Sequence, residues 1–192
     1  MFGNGNADAD LVFVGEAPGF HEDKQGVPFV GRAGQLLNEL LLENGMSRES
    51  VFVLNVLKCR PPENRDPQPD EIATCRPYLD AQVELIEPRV ICTLGNFATK
   101  LLTRSPAGIT RTHGQPQLHR IGGRSVRIYP LFHPAAALRT PRVKEQLRED
   151  FSRLPGLLTE ACQPPARFPA RTPAGPEEQE QRAVVDQLGL FG

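Results

Sequence analysis

The chain has 192 residues, 39% of them apolar and 23% charged, with a formal net charge of -1; this excludes a disordered or fibrous chain and predicts one soluble domain with a sizeable core. No run approaches the roughly 20 apolar residues that a membrane helix needs, and the first ten residues lack the basic and apolar regions of a secretory leader, so a cytoplasmic protein with no membrane partner is expected. In that compartment thiols stay reduced, and the four cysteines read as buried or metal-bound rather than paired.

In chain order, residues 11–15 (LVFVG) form the first strand, short and almost wholly apolar, as suits a strand covered on both faces. It exits into Gly15-Glu16-Ala17-Pro18-Gly19 and then Phe20-His21-Glu22-Asp23. The glycines and proline force a tight turn that a ligand can approach closely, and Glu16, Glu22 and Asp23 supply carboxylates able to orient a water. The G-x-G-x-x-G pattern is absent, so a dinucleotide site is not indicated. Phe29 lies among Gly26, Gly31 and Gly34, off any periodic apolar face; it is either a plate for a planar ligand or a loop aromatic tucked into the core. A helix over 33–44 stops at Gly45. The second strand, 51–57, carries Asn55, whose amide either reads the edge of a base or bonds a neighbouring loop. Cys59 opens the Pro-rich loop after it, and a helix over 69–86, with Asp70 and Glu71 in its first turn, brings Cys75; two such thiols could serve one metal centre.

The third strand covers 90–95, a helix 96–103, the fourth strand 126–132 and a last helix 143–158. The fourth strand ends in His133-Pro134-Ala135-Ala136-Ala137-Leu138-Arg139, where an imidazole fixed by the adjoining proline is a candidate proton donor or electrostatic stabiliser. Strands alternating with helices predict an open, mainly parallel α/β sheet in three layers, with ligands beyond the C-terminal ends of the strands. Charge is unevenly spread: residues 1–57 hold three basic and eight acidic side chains, whereas 104–148 hold nine basic ones and the single acid Glu145. One end should carry a positive field suited to a polyanion, unless those arginines are only a solvated surface.

Taken together, GEAPG at 15–19, the acidic pair at 22–23, PFVGRAGQLL at 28–37, NVLKCRPP at 55–62, CRPYL at 75–79 and HPAAALR at 133–139 resemble the family 4 uracil-DNA glycosylases. The resemblance is ordered and spans about residues 2–158. It implies an α/β/α sandwich with a central four-stranded, mainly parallel sheet, an iron-sulfur cluster, and removal of uracil from DNA as the first step of base excision repair. It also implies individual roles. Glu16, with the backbone of Gly15 and Ala17, borders the pocket; Glu22 falls where a water-orienting carboxylate is expected; Phe29 stacks on uracil; Asn55 reads its N3 and O4 edge; His133 contacts O2. Leu138 or Arg139 would enter the gap left by the extruded nucleotide, and Arg142 joins them as a DNA contact.

The family has four cluster thiolates, two of them near the N-terminus about three residues apart, which complete the site with the pair matching Cys59 and Cys75. This chain opens Met1-Phe2-Gly3-Asn4-Gly5-Asn6 and has no such pair. Relatives often read V-F-G-x-G-N there, so the expectation is a 4Fe-4S cluster in a longer natural protein, with Met1 a valine codon read as a start. Cys92, mid-strand, and Cys162, beyond the last helix, are not placed like ligands. A rival class is a DNA-binding module that holds uracil-DNA without turnover; covalent relatives of that kind carry a basic insertion with a reactive His, whereas 59–75 has Arg60 and Arg65 but no His. A generic nucleotide-binding α/β protein leaves the cysteine pair and HPAAALR unexplained.

The organisation expected is a monomeric glycosylase domain at 1–160 and a flexible tail at 161–192, Pro-rich with an acidic cluster at Glu177, Glu178 and Glu180. The tail ends in Gln187-Leu188-Gly189-Leu190-Phe191, which resembles the QLxLF peptide that docks bacterial proteins on the replication sliding clamp. Gln187 would sit at the pocket rim and Leu188, Leu190 and Phe191 in its apolar floor. The competing explanations are a chance match or a short amphipathic turn folded back on the domain. A clamp-tethered enzyme would be associated with the nucleoid.

Overall fold

Successive side chains of a strand point to opposite faces, and β2 (Leu11–Gly15), buried along its whole length, sends Leu11 and Phe13 to one side and Val12 and Val14 to the other. The computed structural model describes residues 1–161. In it β3 (Phe52–Asn55), β4 (Val90–Leu94) and β6 (Arg124–Leu131) join β2 in a parallel centre. The short β1 (Asn4–Gly5) pairs antiparallel with β3, and β5 (Gln117–Ile121) antiparallel with β6. The resulting six-stranded order is β1-β3-β2-β4-β6-β5.

Leu11, Phe13, Val53, Cys92 and Leu131 pack against α2 (Arg32–Glu43), α7 (Pro141–Ser152) and α8 (Leu154–Ala161) through Leu37, Leu40, Leu147, Phe151 and Leu154. On the opposite face Val12, Val14, Leu54, Ile91 and Ile128 pack on Leu79 and Val83 of α3 (Pro69–Ile86) and on Ala98 and Leu102 of α4 (Asn96–Thr103). Three layers result, as expected. Short α1 (Phe20–Gln25), α5 (Ile109–Thr112) and α6 (Pro134–Ala137) complete the α-helices among the described residues, and a single 3₁₀ turn lies at Pro62–Asn64. The expected four-stranded sheet is the parallel centre, and the two antiparallel edges extend it. The β5–β6 hairpin turns at Gly122 (φ 58°) and Gly123, a Gly-Gly pair suited to a two-residue turn. The helix expected over 143–158 is two, because Pro155 takes the first turn of α8 after a break at Arg153.

Helix starts are set locally. Gln68 and Glu71 form a capping box for α3, with Pro69 in the first turn. At α2 the cap Gly31 has no side chain, and the Glu22 carboxylate from α1 accepts the Val30 and Gly31 N–H groups instead, at 3.2 and 3.3 Å. No helix among the described residues is long and apolar enough to cross a membrane. Most of the expected tail, with Cys162, Gln187, Leu188, Leu190 and Phe191, lies outside the described residues.

Candidate active site

The C-terminal ends of β2, β3, β4 and β6 share one edge of the sheet, and the segments that leave them converge there. Gly15 ends β2. A Cβ at this position would lie 2.4 Å from Asn55 Oδ1 and 2.9 Å from the Phe29 ring, so only glycine lets those two side chains converge. Asn55, the last residue of β3, is buried, and its Oδ1 has no hydrogen-bond partner. A buried acceptor without a partner costs free energy, which a donor that reached it would recover. The Asn55 carbonyl is fixed from behind by Lys58, whose ammonium donates to it at 2.8 Å and to Gln82 Oε1 at 2.6 Å. Burial pulls the Lys58 pKa down to about 8.

Phe29 adopts a left-handed backbone, φ 56°, which costs a non-glycine residue about 1 kcal/mol. Its surroundings hold it there. Glu22 takes the N–H groups of the next two residues, Arg48 Nη2 donates to the Pro28 carbonyl at 2.6 Å, and the Phe29 carbonyl packs on Gly34, where a Cβ would come within 1.7 Å of the oxygen. The ring lies 5.6 Å from that of His133, tilted by 28°.

His133 comes after β6 and caps α6, its Nδ1 accepting the Ala135 N–H at 3.1 Å. A backbone N–H can only donate, so the ring proton sits on Nε2, which is left as the donor nitrogen. Burial lowers the His133 pKa to about 4, so the ring is neutral at physiological pH. Gly95, φ 91°, lies beneath the ring, with room for a Cβ only 3.0 Å from His133 Cβ.

His133 and Gly95 line a cavity of about 630 Å³ with Glu16, Asp66, Asn96, Phe97 and Lys100. The Glu16 pKa is raised, first by burial and then by the charge of Asp66. The structure thus brings Gly15, Glu16, Phe29, Asn55 and His133 to one edge of the sheet. Ala17 packs on the core beside β2. Phe29, Asn55 and Glu22 are not on the cavity wall itself: Phe29 and Asn55 converge at Gly15, Phe29 stacks beside His133, and one Glu22 carboxylate oxygen is committed to the Phe29 loop. Leu138, Arg139 and Arg142 are exposed around α6 and the start of α7. Asp66, Asn96 and Lys100 are cavity residues that sequence reasoning missed; their only signal is that Asn96 and Lys100 open the helix after a strand.

Cys59 is exposed and Cys75 half-buried, and both line one cleft with Leu57, Arg60 and Thr74. The Lys58 N–H donates to Cys75 Sγ at 3.3 Å, and the Met1 ammonium donates to the Lys58 carbonyl at 2.5 Å. Cys92 is fully buried in β4, where desolvation pushes its thiol pKa far up. Among the described residues no three His, Cys, Asp or Glu side chains are grouped to hold a metal ion.

The profile of the Uracil DNA glycosylase superfamily matches residues 2–153. The chain is 45% identical over 157 residues to a type-4 uracil-DNA glycosylase of Sulfurisphaera tokodaii, covering 79% of this chain and 71% of that protein. It is 46% identical over 156 residues to one from Archaeoglobus fulgidus, covering 79% and 78%. Against the Thermotoga maritima type-4 protein it is 50% identical over 140 residues, covering 72% and 71%. A match that runs through all four parallel strands shows the family: the chain belongs to the uracil DNA glycosylase superfamily.

Proposed function

We propose that this chain hydrolyses the N-glycosidic bond of uracil in DNA, leaving an abasic site for base excision repair. The observation that carries the reading is the unpartnered buried Oδ1 of Asn55 beside Phe29 and the neutral, Nε2-protonated His133. Uracil offers an N3–H donor next to the O4 acceptor, and an amide answers both; cytosine presents the reverse order. Phe29 supports the base face. As the C1′–N1 bond breaks, its electron pair passes to the base and charge gathers on O2, where the His133 Nε2–H donates. The sugar becomes cationic, water attacks C1′, and its proton passes to a carboxylate. Glu16, in the cavity, suits that task, whereas Glu22 suits the positioning of Phe29. Leu138 or Arg139 would fill the gap in the duplex, with Arg142 near the phosphates.

The experiment is incubation of the full chain with duplexes carrying one uracil or only cytosine at the same position, and then alkaline cleavage at abasic sites. Breakage at uracil alone is expected, and none at either would end the reading. In Asn55→Asp the carboxylate no longer donates to O4, and the ratio of uracil to cytosine rates should fall at least about tenfold, the worth of a lost hydrogen bond to a base edge. An unchanged ratio would remove Asn55 from base recognition.

Two finer elements belong to the same proposal. Cys59 and Cys75, soft donors in one cleft, fit half of a four-thiolate set, and they would hold a 4Fe-4S cluster only with thiolates from outside the described residues. Such a cluster would supply a covalent tie between the loop after β3 and α3. The terminal QLGLF sequence at 187–191 would dock on the sliding clamp and raise the enzyme's local concentration at replicating DNA. A peptide of residues 176–192 should bind the clamp, and its Leu190→Ala, Phe191→Ala version should not; equal binding, or none by either, removes the partner.

A further inference from the structure

The 60–68 loop is built to hold one side chain in place. Glu63 and Asn64 both have φ 55°, turning the chain back sharply after Pro62. Arg65 then staples the loop to the first turn of α3: its two terminal nitrogens bond both Glu71 oxygens at 2.8 and 2.9 Å, and Nη1 also donates to the Asp66 carbonyl at 3.0 Å. On the other side, Pro67 is buried and fixes the backbone. Between these two anchors the Asp66 side chain makes no hydrogen bond or ion pair with any described residue, and it lines the cavity that holds Glu16 and His133. An unengaged carboxylate on a stapled loop needs a reason.

Resting on the glycosylase reading, we propose that Asp66 is a second catalytic carboxylate, facing the deoxyribose and stabilising the positive charge that develops at C1′ and O4′. A carboxylate on the wall of a cavity that admits a polyanion opposes binding of the ground state. It repays that cost only where a cation forms, and in this reaction the cation is the sugar as uracil leaves with the bonding pair. The other charged or titratable groups on the wall divide the remaining work. Lys100 of α4 is the cation available to a phosphate, His133 meets the base, and Glu16 receives the proton of the attacking water. Water oxygen bonds to C1′, the departing uracil anion takes up a proton, and the products are free uracil and an abasic sugar bearing a hydroxyl. The anionic Asp66 also strengthens Glu16 as a base, consistent with the upward shift that its charge helps impose.

The test compares wild type, Asp66→Asn and Asp66→Glu on uracil-containing single strands under single-turnover conditions, with DNA binding measured separately on a non-cleavable uridine analogue. Asp66→Asn should lower the chemical rate by about 100-fold while binding stays unchanged or tightens, and Asp66→Glu should restore most of the rate. The acid limb of the pH–rate profile should move to lower pH in Asp66→Asn, because Glu16 ionises more readily without a neighbouring anion. A rate within twofold of wild type, or equal losses in rate and binding, would overturn the proposal. Absence of uracil release by the wild type would instead strike the glycosylase reading itself, so the two failures are distinguishable. The side chain is exposed and unpaired, so an unchanged melting temperature in Asp66→Asn is expected, and a large fall would overturn the catalytic role in favour of one in folding the loop.

Discussion

His133→Ala is expected to lower the rate of uracil release by about 10²–10³-fold, the usual cost of removing one preorganised donor from a developing oxyanion, while affinity for uracil-DNA changes far less. The physical reason is differential binding. In the proposed role the Nε2–H of His133 would meet a weak acceptor in the intact nucleotide and a strong one when charge has moved to O2, so its worth would show mainly in the transition state. Its readiness is structural: the Ala135 N–H fixes the tautomer and burial keeps the ring uncharged. Because burial holds the folded pKa near 4, below the ordinary histidine value, the donor stays neutral as pH falls from 8 to 5, and protonation of His133 should contribute no acid limb there. Single-turnover rates with separate binding curves decide the matter; a proportional fall in both would make His133 a DNA contact or a folding residue.

Gly34→Ala is expected to be strongly damaging. The new Cβ would fall 1.7 Å from the Phe29 carbonyl oxygen and 2.3 Å from its carbon, contacts with backbone rather than with a mobile side chain. Either α2 or the Phe29 loop must move, at a cost of about 1–3 kcal/mol. The loop is also held by Glu22 and Arg48, so the displacement should reach the Phe29 ring and lower activity beyond what the stability loss explains. Gly31→Ala is the control, since its Cβ meets only Glu22 Oε1 at an ordinary 3.7 Å. Urea midpoints and single-turnover rates of the two variants should differ clearly; similar values would show that the 28–34 segment yields freely.

Much of the sheet edge was legible because parallel α/β folds put function directly after strands, and Glu16, Asn55 and His133 each follow or end one. Phe29 stood out for another reason, an aromatic among glycines with no periodic face to join, and the structure packs its ring partly on the core as well as beside His133. What the sequence hid was tertiary. The two-residue β1 is too short to leave a pattern, and β5, half-exposed and mixed in polarity, reads as loop unless the Gly122-Gly123 turn is given weight. Glu22 is a carboxylate close after the 15–19 turn, and nothing in its spacing says that it bonds peptide N–H groups eight and nine residues ahead. Asp66 and Lys100 come from loops and helices that meet only when the strands have assembled.

That assembly has a kinetic side. The site draws on Gly15, Asn55, Gly95 and His133, which follow or end four neighbouring parallel strands, and each neighbour pair is separated by a long crossover rather than a hairpin. Parallel pairings pay their loop-closure entropy before they gain any contact, so sheets of this kind form slowly and nearly all at once. Between residues 15 and 133 no single hairpin or helix pair contains enough of the constellation to bind a base. Catalytic competence is therefore a property of the finished sheet: a chain caught midway exposes apolar strands yet has no pocket, and activity returns on refolding only with the last parallel pairing.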